Sequence, residues 1–405
     1  MLAKIGRQLG IDLPYFVKYG AWAAGRHFTA AVVGLGLSMA FARLVSQTLF
    51  GQYQLILSIM ALVSIISLPG LQTSLLQSIA RGNDGDYLRA IKKRLHWSML
   101  GLPILIIIGL YYYRTQSHQV GLALMLSAIF FPGLQTLLSW DNFLHGKQRF
   151  DIAAIYGSTA AMVTSLVTIA AIIWRPGNLI IILGAYLLSN LLINIFLFQR
   201  SRQYITNQKT SLDLISYGYF LTKINILGII VRNLDNILVA TLLGVEQLAI
   251  YAIGVRFAKS IHAFLKGVLG ITNPKIAARN TLTLKNYGLA MLLSVITTAV
   301  LLFSAPPLIR LLFSARYNDS IIISQIVIIF LPFWVLFLLL ENHALMYLKD
   351  RGLILINTLL MPALSAATMV PLLILWQIKG LAISVGLQSV IGTAILLFLF
   401  RRKST

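Results

Sequence analysis

Seven ionisable side chains stand inside stretches otherwise apolar enough to cross a bilayer: Arg26, Lys223, Arg232, Asp235, Arg256, Lys259 and Lys266. A charge at the centre of a spanning helix costs about 2.5–3.5 kcal/mol on insertion scales, so it normally faces a bundle interior or a wet cavity. All but Asp235 are cations, and excess positive charge in a low dielectric attracts anions strongly. Arginine offers a planar fork to phosphate oxygens and lysine a point charge. A phosphate or pyrophosphate head group fits such a set; chloride or a carboxylate also fits.

Spacing refines the reading. In "VRNLDNILVATLLG" (231–244) Arg232 and Asp235 are i and i+3, neighbours on one helical face. An internal ion pair would explain those two by themselves, but not the remaining cations. Arg256, Lys259 and Lys266 fall within an arc of roughly 80° at 100° per residue and climb about 15 Å along one helix. We expect a cationic ladder on a cavity between the two halves, although Lys266 is also placed to snorkel to the membrane surface. Asp235 is the candidate for ion coupling or ion pairing. His27 and His262 either join the cavity or are taken up within the bundle. The histidines show no metal-ligand spacing, so no metal or other cofactor is expected.

The rest of the chain must position these residues in a membrane. Of 405 residues, 58% are hydrophobic and 11% charged, whereas a soluble domain carries about a quarter charged residues. The formal net charge of +22 therefore speaks for orientation in a bilayer and an anionic partner, not for nucleic acid. Cysteine is absent, which excludes disulfides and thiolate metal sites.

Hydropathy predicts an all-α membrane protein of twelve spans, near 20–41, 53–76, 95–113, 120–140, 152–174, 179–198, 215–242, 249–271, 287–309, 321–341, 353–375 and 380–400. The expected organisation is a cytoplasmic N-terminal interfacial segment (1–19), a six-helix lobe (20–198), a cytoplasmic linker (199–214), a second six-helix lobe (215–400) and a basic cytoplasmic tail (401–405). The first segment reads equally as a helix lying on the membrane, with Leu2, Ile5 and Leu9 on one face, or as a frayed terminus. It is not a secretory signal.

Lys and Arg alternate between loops. The basic side holds Arg81, Arg89, Lys92, Lys93 and Arg94, then Lys147 and Arg149, Arg200, Arg202 and Lys209, and later loops to the tail. The other side holds only Arg43, Arg114, Arg175, Arg310, Arg316 and Lys379. The positive-inside rule then places both termini in the cytoplasm. The segments "LVSQTLFGQYQL" (44) and "LLGVEQLAIYAI" (242) are alike at an offset of 198, close to half the chain. This suggests two repeats of six spans with the same orientation.

Smaller features have ordinary explanations. Asp141 and Glu341 lie near span ends beside basic loops, "RGNDGD" (81–86) reads as a turn, and "YYY" (111–113) as an interfacial aromatic belt. Pro103, Pro132, Pro332, Pro362 and Pro371 fall within spans, where they kink helices or allow them to rock.

The stretches "LFGQYQLILSIMALVSIISLPGLQTSLLQSIARG" (49–82), "FLHGKQRFDIAAIYGS" (143–158) and "NLDNILVATLLGVEQLAIYAIGVRFAKSI" (233–261) resemble the Wzx-type polysaccharide flippases. Their superfamily includes multidrug and toxin extruders and lipid II flippases. The resemblance implies two six-helix lobes around a central cavity. It also implies transfer of an undecaprenyl-pyrophosphate-linked oligosaccharide to the outer leaflet of a bacterial inner membrane, for O-antigen (lipopolysaccharide) or exopolysaccharide biosynthesis. Polysaccharide polymerase and glycosyltransferase partners would follow from it; a monomer suffices.

Two other function classes are weighed against this. An ion-coupled exporter of small solutes shares the fold but needs membrane carboxylates, and Asp235 is the deep one. A membrane glycosyltransferase or polymerase wants clustered carboxylates, whereas the 11 acidic residues lie mostly in loops.

Overall fold

In the computed structural model the described residues are 13–270, 284–343 and 359–403, and all their regular structure is helical. In chain order the helices are α1 (Leu13–Leu44), α2 (Gln47–Val63), α3 (Gly70–Ala80), α4 (Asp86–Ser98), α5 (Gly101–Thr115), α6 (His118–Leu137), α7 (Ser139–Gly146) and α8 (Phe150–Trp174). There follow α9 (Leu179–Ser201), α10 (Leu214–Leu242), α11 (Val245–Gly270), α12 (Leu284–Phe313), α13 (Asp319–Ile329), α14 (Leu331–His343) and α15 (Met361–Lys403). The segments 1–12 and the expected loops around 271–283 and 344–358 lie outside the described residues, as does the side chain of Lys266.

Nine helices among the described residues are long and apolar enough to cross a membrane, ten with the α13–α14 pair, which bends by 43°. The basic α11 is not among them. The long α15 supplies two passes, because its backbone leaves helical geometry at Trp376 and Gln377, the latter at φ 51°. Partners equidistant from that point prove the reversal: Thr368 bonds Ser384 at 3.1 Å and Ser365 bonds Gln388. A side chain on Gly380 would lie 1.9 Å from the Leu372 carbonyl, so only glycine permits so tight a return. The described helices are consistent with twelve passes.

Several passes are broken. The second runs through α2, a 3₁₀ turn at Ser64–Ser67 and a left-handed Leu68 (φ 54°), then Pro69 and α3. Proline disfavours helix in the residue before it, so Pro69 makes this break. The fourth pass breaks at Leu138 between α6 and α7. The bend between α13 and α14 is followed by Pro332, in the first turn where proline is tolerated.

Contacts divide the chain into two compact units, Val32–Ala249 and Met1–Ala31 with Ile250–Thr405. The division runs through α1 and α11, and α10 belongs with α2 and α3, against which it packs. Within the first unit α5 packs on α6, α6 on α9 and α8 on α9. The second unit repeats the scheme: α12 packs on α13, and both α13 and α14 pack on α15. Inside the first unit, Thr48 Oγ1 donates to Glu246 Oε1 at 2.7 Å, and these positions are separated by the repeat offset of 198. A Cβ on Gly51 would sit 1.8 Å from the Val245 carbonyl oxygen, so the α2 and α11 starts approach backbone to backbone.

The exteriors are apolar. Ile107, Ile129, Leu166 and Trp174 in the first unit, and Phe303 and Ile374 in the second, are exposed. Such surfaces need a hydrocarbon solvent. Connections opposite the basic loops are short: 45–46, 116–117, 175–178, 243–244, 314–318 and the turn at Trp376–Gln377.

Candidate functional site

The first unit gathers its basic loops at one end, as the charge alternation predicts. The carboxylate Asp84 Oδ2 accepts from Lys147 Nζ, the Thr206 amide and Thr206 Oγ1, each at 2.7 Å. Burial pushes the Asp84 carboxyl up, but these donors outweigh it and hold its pKa below the usual value. Asp86 Oδ2 accepts from Ser78 Oγ and, at 3.0 Å, from the Ser211 amide. Arg89 donates to the Ser211 carbonyl at 2.7 Å, and the Gly85 amide to that of Lys209 at 2.9 Å. The connector 199–214 is thereby pinned along "NDGDYLR".

Arg94 departs from the sequence reading, which placed it in a basic loop. It is 1% exposed. Nε donates to the Ser67 carbonyl at 3.1 Å and Nη1 to Ser139 Oγ at 2.7 Å. The Gln72 side-chain oxygen, in the orientation its surroundings demand, lies 2.8 and 3.1 Å from Nη1 and Nη2. The guanidinium thus ties the break in the second pass to the break in the fourth. A signal existed: Tyr87, Ala90, Arg94 and Ser98 form one helical stripe, and all are buried.

Within the membrane stretch of the first unit, α10 buries a stripe of Val231, Asp235 and Val239. Asp235 is 4% exposed. Beside it, Asn236 Nδ2 donates to Ser58 Oγ at 2.9 Å, and Ser58 Oγ to the Gln54 carbonyl at 2.9 Å. The result is a polar seam between α2 and α10. Arg232 lies on the exposed flank and makes no ion pair with Asp235. An offset of three residues turns the helix by about 60° from coincidence, enough to bury one and expose the other. Lys223 is also exposed, yet nine residues from Arg232 it lies roughly 180° around an ideal helix. These two cations leave α10 on opposite flanks.

In the second unit α11 backs onto α13. A Cβ on Gly254 would touch Ile323 and the Ser320 carbonyl, and Ser320 Oγ donates to the Ile250 carbonyl at 2.8 Å. Arg256 and Lys259 lie about 200° and 140° around the helix from Gly254. They share the less buried side with Ala252 and Ser260, and Lys259 is exposed. On an ideal helix both therefore lie on the side of α11 away from Gly254. His262 stacks on Trp334 with centroids 4.4 Å apart and planes at 8°, and its Nε2 is buried with no hydrogen-bond partner among the described residues. It is absorbed by packing. Arg26 is half-buried on α1. No group of three or more His, Asp or Glu among the described residues is arranged to hold a metal ion.

A family model described as polysaccharide biosynthesis protein matches residues 16–278. No curated protein matches. Among solved structures, the lipid II flippase MurJ in an inward closed conformation superposes with a TM-score of 0.66 at 14% identity, covering 95% of this chain and 87% of that one. An inward-facing multidrug resistance MATE family transporter gives 0.61 at 14%, covering 92% and 94%. A MOP superfamily transporter from Pyrococcus furiosus, described as having a binding pocket of reverse polarity, gives 0.59 at 13%, covering 96% and 95%. These likenesses establish the fold as that of MATE transporters and MurJ, and the matched residues make this chain a member of the polysaccharide biosynthesis protein family.

Proposed function

We propose that this protein flips an undecaprenyl-pyrophosphate-linked oligosaccharide from the cytoplasmic to the outer leaflet of a bacterial inner membrane, supplying O-antigen or exopolysaccharide synthesis. The family match carries the reading, and the cationic side of α11 supports it. Lys259 stands exposed in a pass otherwise apolar, with Arg256 one turn away, where a pyrophosphate would offset the cost of placing its charge in the bilayer. Arg26, Lys223, Arg232 and Lys266 are further candidates for contact with the anionic substrate. The opposite flanks of Lys223 and Arg232 make them alternatives to each other on a straight α10. Asp235 is the candidate for coupling to an ion. The positive-inside bias favours cytoplasmic termini. Polymerase and glycosyltransferase partners suit such a step, and a monomer suffices for it.

An ion-coupled exporter of small solutes has one observation in its favour, the buried Asp235 in its polar seam. Against it stand the surrounding cations, which repel cationic cargo.

Reconstitution decides. Purified protein in liposomes with a labelled polyprenyl-pyrophosphate oligosaccharide should speed access of an impermeant enzyme to the inner-leaflet pool. The double change Arg256→Ala with Lys259→Ala should return the rate to that of protein-free vesicles. No acceleration with the host glycan would overturn the flippase reading. Acceleration indifferent to the double change would keep the function and remove α11 from the anion path.

A further inference from the structure

Helix α9 carries two adjoining concavities on one face. The first is an apolar groove of about 520 Å³ against α8, where Leu188, Leu192 and Phe196 face Val163 and Val167. The second, of about 470 Å³, opens where α9 ends, between Gln199, Arg202 and Gln203, Leu88 of α4, and Gln208 of the connector. At 100° per residue Gln199 lies only about 20° from Leu192. The groove and the cleft therefore follow one another along one side of α9, Phe196 ending the first and Gln199 opening the second.

The two differ in chemistry. Among the described residues the side-chain amides of Gln199, Gln203 and Gln208 make no hydrogen bond, and the Arg202 guanidinium only rides over the Phe198 ring at 6.0 Å. Asp84 also borders the cleft, but its side chain is fully buried and held by Lys147 and Thr206. The open field is therefore that of Arg202. Tyr87 fixes the wall, bonding Ser201 at 2.7 Å and meeting the Phe198 ring edge-on at 5.9 Å; this sets exposed Leu88 beside the opening.

Depth matches a lipid. Phe196 is 49% exposed, and Arg200 caps its ring at 5.4 Å. The surface thus changes from apolar to cationic within one turn. From Leu188 to Phe196 the groove rises about 12 Å, inside the roughly 15 Å hydrocarbon depth of one leaflet. One guanidinium with free amides suits a single phosphate, and basic pockets at the ends of membrane helices bind such head groups.

We infer that this groove and cleft form a binding site for an anionic phospholipid of the bilayer, its phosphate on Arg202 and the glutamine amides and one acyl chain along α9. The site is independent of the flipping activity.

Native mass spectrometry on the full-length protein in detergent tests it, with phosphatidylglycerol, phosphatidylcholine of the same chains, and inorganic phosphate as probes. Phosphatidylglycerol should be retained about five-fold better than phosphatidylcholine, the worth of one basic residue at an anionic lipid surface. Arg202→Gln with Gln199→Leu should abolish the preference, and Arg200→Gln should leave it. Leu192→Trp, which fills the groove, should lower retention of both lipids. Equal retention of the lipids by the native protein, or a preference that survives the double change, would overturn the site. Displacement by inorganic phosphate would assign the cleft to a soluble phosphate compound, and preferential displacement by a polyprenyl diphosphate would assign it to the transported lipid; either overturns the phospholipid assignment. Thermal melting controls for folding. Should the double variant fail to fold, Arg202→Gln alone is read in the same way.

Discussion

The basic end of the first unit and Lys259 on α11 show two opposite ways of treating a cation. Arg94 is enclosed and nearly every donor has an oxygen waiting: a carbonyl, a hydroxyl and an amide. Lys147 is spent on Asp84. Lys259, on α11, stands exposed with no such cage. A cation that holds a fold together has its partners built in, because an unsatisfied buried charge is costly. A cation meant for a passing anion must be left to bind it. Depth alone does not separate the two; the count of built-in acceptors does.

The sharpest way to break that contrast is to exchange roles by mutation. Arg94→Ala should cost about 4 kcal/mol, since it strands several buried acceptors and leaves a cavity. Arg94→Met should cost less, about 2 kcal/mol, because it fills space and removes the buried charge. Lys259→Met should leave melting within about 0.5 kcal/mol, as for ordinary exposed positions, while slowing flipping. Melting curves and liposome flipping on the same three variants check this. Equal destabilisation by Arg94→Met and Lys259→Met would erase the distinction.

A smaller effect concerns Asp84. Its folded pKa is depressed, so its contribution to stability is fully present above the unfolded carboxylate value of about 3.9. It is lost as pH falls through the folded pKa. Melting temperature should therefore drop below about pH 4, and Asp84→Asn, at a cost of about 2 kcal/mol at neutral pH, should remove that part of the acid dependence. A variant whose acid profile matches the native one would show the clamp to be idle.

The smallest expected effect is at the repeat-related contact. Thr48→Glu places a second carboxylate against Glu246 and should cost about 1 kcal/mol at this exposed site. Adding Glu246→Thr restores a hydroxyl–carboxylate pair, and melting should recover. Failure to recover would mean that the two positions are not interchangeable.

Much of this was legible in the sequence. The apolar runs gave the passes, and the alternation of Lys and Arg gave the gathering of Lys147 and Lys209 at one end; the offset of 198 marked the segments that hold Thr48 and Glu246, but neither their hydrogen bond nor the part of Asp84 was legible. Arg94 follows Lys92 and Lys93, and this run of loop charge masks the buried stripe of Tyr87, Ala90, Arg94 and Ser98. The Arg232–Asp235 pair was expected from spacing, yet tertiary packing on α2 chose which of them to bury. Pro69 makes the break at Leu68 legible, but the tie that Arg94 draws from the Ser67 carbonyl to the Ser139 hydroxyl is a contact among three passes that no local pattern encodes.

The connections opposite the basic loops are of two to five residues, down to the bare turn at Trp376–Gln377. Such turns offer no surface on which a soluble domain can dock and no backbone long enough to enter a protease.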